Sequence, residues 1–230
     1  MSSLPVPAFV LAALLVGSGR IAPAQVVVVD KGAFVITRDG TPAGREEFEI
    51  RRLPGIDGST YEAKATVTLD GRTLHPVLSA NAAGAPLAYR MEVRSGGEMV
   101  ERATGQVSPG RIRVDAQSAT SRSAREYGTG NGTLVLDDGV FHHYYFVARR
   151  AADAPTVPVL VPRRNVQLVL RASPSKERLA IGGRDVAATR LVLTEPGGAE
   201  RIVWTDGDGR VLKVSLPSQK LTAVREELPR

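Results

Sequence analysis

The sequence predicts an all-β, mainly antiparallel fold: a large curled sheet, half-barrel or barrel of about 11–13 strands, with one helix packed on its inner face. Three observations lead to this prediction. Apolar and polar residues alternate along most of the chain after residue 33. Tight-turn dipeptides separate the alternating runs, among them Asp39-Gly40, Asp70-Gly71 and Gly182-Gly183. A single segment, residues 139–151, lacks both alternation and internal turn residues.

The alternation is clearest between Tyr61 and Asp70. Tyr61, Ala63 and Val67 share one face of the predicted strand, whereas Glu62 and Lys64 share the other. Such a pattern is typical of an antiparallel strand with one face in the core and one face in water. Similar runs with short turns between them leave no room for crossover helices, so an antiparallel meander is expected.

The segment 139–151 is predicted to be the one helix. Asp137 or Asp138 is expected to cap its start, and Arg149 and Arg150 suit the negative end of the helix dipole. A proline-rich connection over residues 153–163 follows and is expected to be extended or turn-like. The strands after it are too few to bury a core of their own, so residues 25–230 are predicted to form a single domain.

Residues 1–24 are predicted to be a signal peptide. The apolar run from Pro5 to Gly17 is too short to span a bilayer, and it leads to the small residues of Ala22-Pro23-Ala24. Cleavage after Ala24 would place the protein in the periplasm or outside the cell. The alternative is an uncleaved N-terminal helix, because the first nine residues contain no Lys or Arg.

Composition narrows the remaining possibilities. The chain has no cysteine, so disulfides, thiolate metal sites and a lipid-anchor cysteine are excluded. No second apolar run is long enough to cross a membrane, so no transmembrane segment is expected in the processed protein. Without the leader, 29 basic and 24 acidic residues remain, which gives a net charge of +5 and favours anionic partners. Nucleic acid is not expected among them, because aromatic residues are not interleaved with the basic ones on a strand.

The curled sheet suggests a place for a ligand. Several residues expected to face inward are small, and only one helix is available to cover them: Ala63, Ala65, Ala116 and Ala187. This combination favours an apolar groove between sheet and helix that binds a lipid or acyl chain. The alternative is a sheet that closes on itself or forms a sandwich and leaves no cavity.

Two segments of the sequence resemble a group of uncharacterised bacterial periplasmic β proteins. They are the run from Phe141 to Phe146 (FHHYYF) and the ending from Ile202 to Val214. With the export signal, the alternation and the aromatic helix, the chain also resembles the lipoprotein-carrier half-barrels of the LolA/LolB type. These resemblances imply a fold and a periplasmic location, and they imply no catalytic residues. The missing anchor cysteine departs from the lipid-anchored carriers and leaves the comparison with the soluble ones.

The aromatic segment supplies most of the candidate ligand-binding residues. It holds four of the eleven aromatic residues and two of the three histidines. The predicted ligand-binding residues are Phe141, Tyr144, Tyr145, Phe146, Tyr89 and Trp204. The alternative is that these aromatics simply pack into the sheet. A rim of arginines is expected to meet anionic head groups, and it comprises Arg149, Arg150, Arg163 and Arg164.

No catalytic, metal or cofactor site is predicted. His142 and His143 would point about 100° apart on a helix, and no third ligand has a recognisable spacing. No nucleophile elbow, zinc-protease motif or phosphate-binding glycine loop is present. The leading hypothesis is therefore a non-enzymatic envelope protein that binds a hydrophobic or amphipathic ligand. A structural or protein-interaction module of the envelope is the second hypothesis, and a hydrolase is the third.

Overall fold

A computed structural model describes residues 25–55, 58–130 and 132–229, and most of these residues belong to a single fifteen-stranded sheet that is curled but not closed. The predicted all-β class with one helix is confirmed, and the sheet has more strands than the 11–13 expected. The predicted signal peptide lies outside the described residues. No helix in the described ranges is long and apolar enough to cross a membrane.

The first eight strands form an antiparallel meander. They are β1 (Val27–Arg38), β2 (Thr41–Leu53), β3 (Thr60–Leu69), β4 (Arg72–Asn81), β5 (Pro86–Ser95), β6 (Glu98–Ser108), β7 (Arg111–Ser118) and β8 (Arg122–Gly128). Most of the turns that join them contain residues with positive φ, as at Asp39-Gly40 and Asp70-Gly71. The alternation predicted for Tyr61 to Asp70 is confirmed, since Tyr61, Ala63 and Val67 are buried.

The chain then crosses to the other edge of the sheet and returns to β1. The returning elements are β9 (Leu134–Val135), the helix α1 (Tyr144–Asp153), β10 (Thr156–Val161), β11 (Val166–Ile181), β12 (Arg184–Thr194), β13 (Glu200–Thr205), β14 (Val211–Leu216) and β15 (Leu221–Arg225). Short 3-10 helices follow β10 (Pro162–Arg164) and β14 (Pro217–Gln219). β15 pairs with β1, so the two halves form one sheet, and among the described strands only β9 and β10 run parallel.

The edges of the sheet face each other without pairing. β8 ends one side and β9 ends the other, and Leu160 on β10 packs against Ile112 and Val114 on β7. The main core lies inside the curl and contains residues from both halves of the sheet and from α1. The sheet therefore wraps around the helix, as predicted.

Three details differ from the sequence-based expectations. The helix begins at Tyr144 rather than near 139, and no side chain caps its start. The proline-rich connection contains a true strand, β10, which tolerates Pro158 because its neighbour β9 has only two residues. Ala187 is exposed, and it is the next residue, Ala188, that faces an apolar cluster.

Candidate functional site

The predicted ligand-binding aromatics of the helix lie in the core. Phe141, Tyr144, Tyr145 and Phe146 are all buried. The rings of Tyr145 and Phe146 contact Tyr61 on β3 edge-on, with centroids 6.3 and 5.7 Å apart. This geometry is the packed arrangement that the alternative interpretation expected, with the helix filling the inside of the sheet.

A buried carboxylate holds the turn before the helix. Glu46 on β2 accepts hydrogen bonds from the backbone N–H groups of Phe141, at 2.6 Å, and His142, at 2.9 Å. The Nδ1 atom of His142 lies 2.5 Å from the same carboxylate. A strand therefore supplies the acceptor that a local capping residue would otherwise provide. Glu46 shares its side of β2 with Phe48 and Ile50, so strict alternation was the signal that places this carboxylate inside.

A second buried pair joins β5 to the same turn. The hydroxyl of Tyr89 donates a hydrogen bond to Asp137, and both side chains are buried. Burial raises the pKa of Asp137 to about 6, while Arg163 and the Tyr89 hydroxyl act in the opposite direction. Asp137 also accepts a hydrogen bond from the backbone of Asp138 and does not cap the helix. Tyr89, one of the predicted ligand-binding residues, thus lies beside the turn that precedes the helix.

The two histidines occupy the middle of this interior. The rings of Phe34, Phe48 and His142 stack in a row, with centroid distances of 5.1 and 5.8 Å. His143 is buried, and neither of its ring nitrogens has a hydrogen-bond partner. Burial, together with neighbouring His142, holds the pKa of His143 well below its usual value. Within the described ranges, no group of three or more His, Asp or Glu could hold a metal ion.

The predicted arginine rim is divided between the two ends of the helix. Arg149 lies over the rings of Tyr61 and Tyr145 and donates a hydrogen bond to the Tyr145 hydroxyl at 3.0 Å. Arg163 and Arg164 lie near the turn that precedes the helix, where they bind Glu101 and Asp138. Arg150 is half-buried on the helix, and its Nε atom has no hydrogen-bond partner.

Trp204 lies away from the other predicted residues. It belongs to a second apolar cluster with Ile181, Ala188 and Leu212, separate from the core that holds the helix. The Nζ atom of Lys213 lies 4.7 Å from the centroid of the Trp204 ring, and the Nε1–H group of Trp204 donates a hydrogen bond to the Glu177 carboxylate at 3.1 Å. The neighbouring residue Val203 faces the main core, so the alternation of β13 directs Trp204 to the opposite face.

An open groove of about 810 Å³ lies where β1 and the C-terminal tail diverge. β1 pairs with β15 only from Phe34 to Arg38, so the preceding part of β1 separates from residues 226–229. The groove is lined by Val28–Ala33 of β1, by Arg45 and Glu47–Glu49 of β2, by Arg210, and by Arg225–Pro229. Sequence reasoning did not find this site.

The groove combines apolar surface with charges that are largely paired. Arg225 forms a buried ion pair with Asp30 at 2.6 Å, and its guanidinium lies 5.3 Å from the centroid of the Phe48 ring. Arg45 binds Glu226 at 2.8 Å. The apolar part is contributed by Val28, Val29, Ala33, Phe48, Leu228 and Pro229. Because Phe48 also stacks on His142, the lining of the groove is in direct contact with the packed interior.

A smaller groove of about 410 Å³ lies on the other side of the C-terminal tail. It is lined by Ile181–Gly182, Arg184 and the same residues, 226–229. Leu228 packs against the Trp204 cluster. The tail is therefore a wall shared by both grooves, held by Leu228, by the Arg45–Glu226 ion pair and by the hydrogen bond from the Glu226 N–H to the Ala33 carbonyl.

Comparison with known proteins gives no match: neither a family model nor a curated protein nor a solved structure is significantly similar to this chain. No residue role is therefore carried over from another protein.

Proposed function

We propose that this protein is an exported, non-catalytic binding protein of the cell envelope that holds an amphiphile with a single acyl chain in the groove beside β1. The observation that supports it most directly is the groove itself. Its volume of about 810 Å³ lies within the range of ordinary small-molecule sites. This site replaces the expected one between sheet and helix, where aromatic side chains occupy the interior.

The lining favours binding over hydrolysis. Among the described residues that line the groove there is no serine, threonine, histidine or tyrosine to act as a nucleophile. The Arg225–Asp30 pair neutralises the buried charge, and the exposed Arg45–Glu226 pair compensates charge at the surface of the groove. Val28, Phe48 and Leu228 then offer apolar surface for a chain, and Lys31, which is exposed and forms no ion pair with any described residue, can meet a polar head group.

The first experiment is native mass spectrometry of the protein purified from the periplasm of an expressing bacterium, followed by organic extraction. A reproducible added mass that extracts as a lipid is the expected result. A mass that corresponds to the bare chain beginning at Gln25 would agree with export and contradict a retained ligand. A protein that remains in the cytoplasm with its leader attached would contradict the location.

A matched pair of variants tests the position of the site. Val28 lines the groove and is 46% exposed, while Val35 on the same strand is 41% exposed and lies outside it. Val28→Glu is expected to weaken palmitate binding, measured by titration calorimetry, at least tenfold, or about 1.4 kcal/mol. Val35→Glu, which makes the same change in charge, is expected to leave binding unchanged. Equal loss in both variants would refute the groove as the binding site.

One observation favours a second function, the recognition of an extended peptide. In the described part of the chain, no strand pairs with residues 27–32 on the side that faces the groove; the Lys31 carbonyl there accepts a hydrogen bond from the Arg225 side chain, and the Ala33 carbonyl accepts one from the backbone N–H of Glu226. Such an edge can accept a partner strand by hydrogen bonding to the backbone. The same native mass measurement separates the two functions, because a bound peptide would be identified by fragmentation and would not extract into organic solvent as a lipid.

A further inference from the structure

The outer face of β5–β8 carries an uneven distribution of charge. Alternate positions of these strands point away from the helix. The six arginines on this face are Arg90, Arg94, Arg102, Arg111, Arg113 and Arg122, and the three acidic residues are Glu92, Asp115 and Glu126. We call this surface the arginine face. Its net charge of +3 is more than half of the +5 carried by residues 25–230.

The excess of positive charge is greatest around Glu92. Arg102 lies directly opposite Glu92 on the neighbouring strand, and Arg90 and Arg94 are its neighbours along β5. Among the described residues, none of these three arginines forms an ion pair. One carboxylate therefore stands among three guanidinium groups, and their charge is available to an anionic partner.

The face also exposes an apolar side chain among the arginines. Met99 is 52% exposed and lies opposite Arg94 in the sheet. No aromatic residue accompanies it, because Tyr89 points into the core and Tyr127 bonds to Asn165 across the opening of the sheet. Single-stranded nucleic acids require stacking platforms, which this face does not offer. Arginines around an exposed apolar side chain suit the interface of an anionic bilayer.

We propose that the arginine face docks the protein on membranes that contain anionic phospholipid. The guanidinium groups meet the phosphates, and Met99 reaches the boundary between head groups and acyl chains. Each arginine near an anionic lipid surface contributes about a fivefold increase in binding. This docking does not depend on the groove, and the two proposals can fail separately.

The test is sedimentation of the purified, processed protein with vesicles. Binding is expected to vesicles of phosphatidylcholine mixed with phosphatidylglycerol, to fall as salt is raised, and to be lost with pure phosphatidylcholine. The triple variant Arg90→Gln/Arg102→Gln/Arg122→Gln is expected to bind the mixed vesicles about a hundredfold more weakly. These three side chains are exposed and make no hydrogen bond or ion pair with any residue that the structure describes, so the fold should be unaffected.

The control is a second triple variant, Arg52→Gln/Arg171→Gln/Arg184→Gln. It removes the same charge from exposed arginines elsewhere on the surface, which likewise form no ion pair within the described ranges, and is expected to keep most of the vesicle binding. Equal loss in both triple variants would show a general effect of net charge and overturn the proposal. Binding that ignores phosphatidylglycerol, or that is as strong to single-stranded DNA as to the mixed vesicles, would overturn it as well.

Discussion

Charged residues that face the core are satisfied by defined partners. Arg225 binds Asp30, and Arg201 donates to the hydroxyl of Tyr144 at 2.8 Å and binds Glu195 at 2.6 Å. Each of these arginines occupies a position that alternation assigns to the inside of its strand. Removing one member of such a pair would leave a buried charge without compensation, which is more costly than the pair is stabilising. These pairs therefore fix the register of the strands and the position of the helix.

His143 is an exception, because its side chain is buried without a hydrogen-bond partner, and from its burial we predict that stability depends on pH. Its imidazole is buried without hydrogen bonds, and burial lowers its pKa in the folded protein. The unfolded chain then binds more protons below pH about 6.5, so stability is present above that pH and is lost as the pH falls. When the pH is lowered from 7.5 to 5, the free energy of unfolding of His143→Leu is expected to fall by about 2 kcal/mol less than that of the parent protein. Urea unfolding at the two pH values measures this difference.

The comparison isolates His143 because the buried carboxyl groups, among them Asp137, are common to both proteins. The pKa of Asp137 is raised to about 6, so its effect on stability changes with pH in the opposite direction. Its contribution to the stability of the folded protein is present at low pH and is lost as the pH rises through about 6. His75→Gln serves as the control, since His75 is only partly buried on the outer face. Identical pH profiles for His143→Leu and the parent protein would show that His143 is not held neutral by burial.

At the scale of the elements, the helix depends on a strand that is distant in sequence. Its predicted start near 139 was too early because the turn before Tyr144 is held from outside, by Glu46 at Phe141 and His142 and by Tyr89 at Asp137, and Glu46 lies 95 residues before Phe141. Rules for helix capping consider neighbouring residues and cannot detect such a partner. The strands, in contrast, were predictable because their alternation is local, and Glu46 itself could have been assigned to the core by the same pattern.

Glu46 is accordingly expected to be among the most sensitive positions. Glu46→Ala leaves two buried backbone N–H groups and one ring nitrogen without an acceptor, which should lower the free energy of unfolding by about 3–5 kcal/mol. Glu49→Ala, on the same strand, removes only a surface ion pair with Arg51 and should change the free energy of unfolding by less than about 1 kcal/mol. Urea unfolding at neutral pH measures both, and similar losses would contradict the assigned role of Glu46.

At the scale of the whole molecule, the two grooves are the features that sequence patterns could not locate. The larger groove exists because β1 continues to pair with β2 after the C-terminal tail has left it. That divergence involves segments about 195 residues apart, as Asp30 and Arg225 show. The aromatic segment, chosen for its unusual composition, became part of the core because the curl of the sheet has to be filled.

The continuity of the sheet predicts that the protein unfolds as one unit. β15 pairs with β1, and Tyr61 from the first half packs against Phe146 of the helix, which also contacts the second half through Tyr144 and Arg201. Neither half can therefore lose its structure without exposing the core of the other. Trp204, the one tryptophan, reports on the second half, while far-UV circular dichroism reports on all strands.

The two signals are expected to give the same urea midpoint, and calorimetry is expected to give equal calorimetric and van't Hoff enthalpies. A Trp204 transition at lower urea than the loss of strand structure would show that the second half unfolds separately. Arg225→Gln provides a sharper test, because it weakens the junction between the halves while leaving each meander intact. If the junction couples the halves, both signals move together to lower urea; if it does not, the fluorescence transition separates from the other.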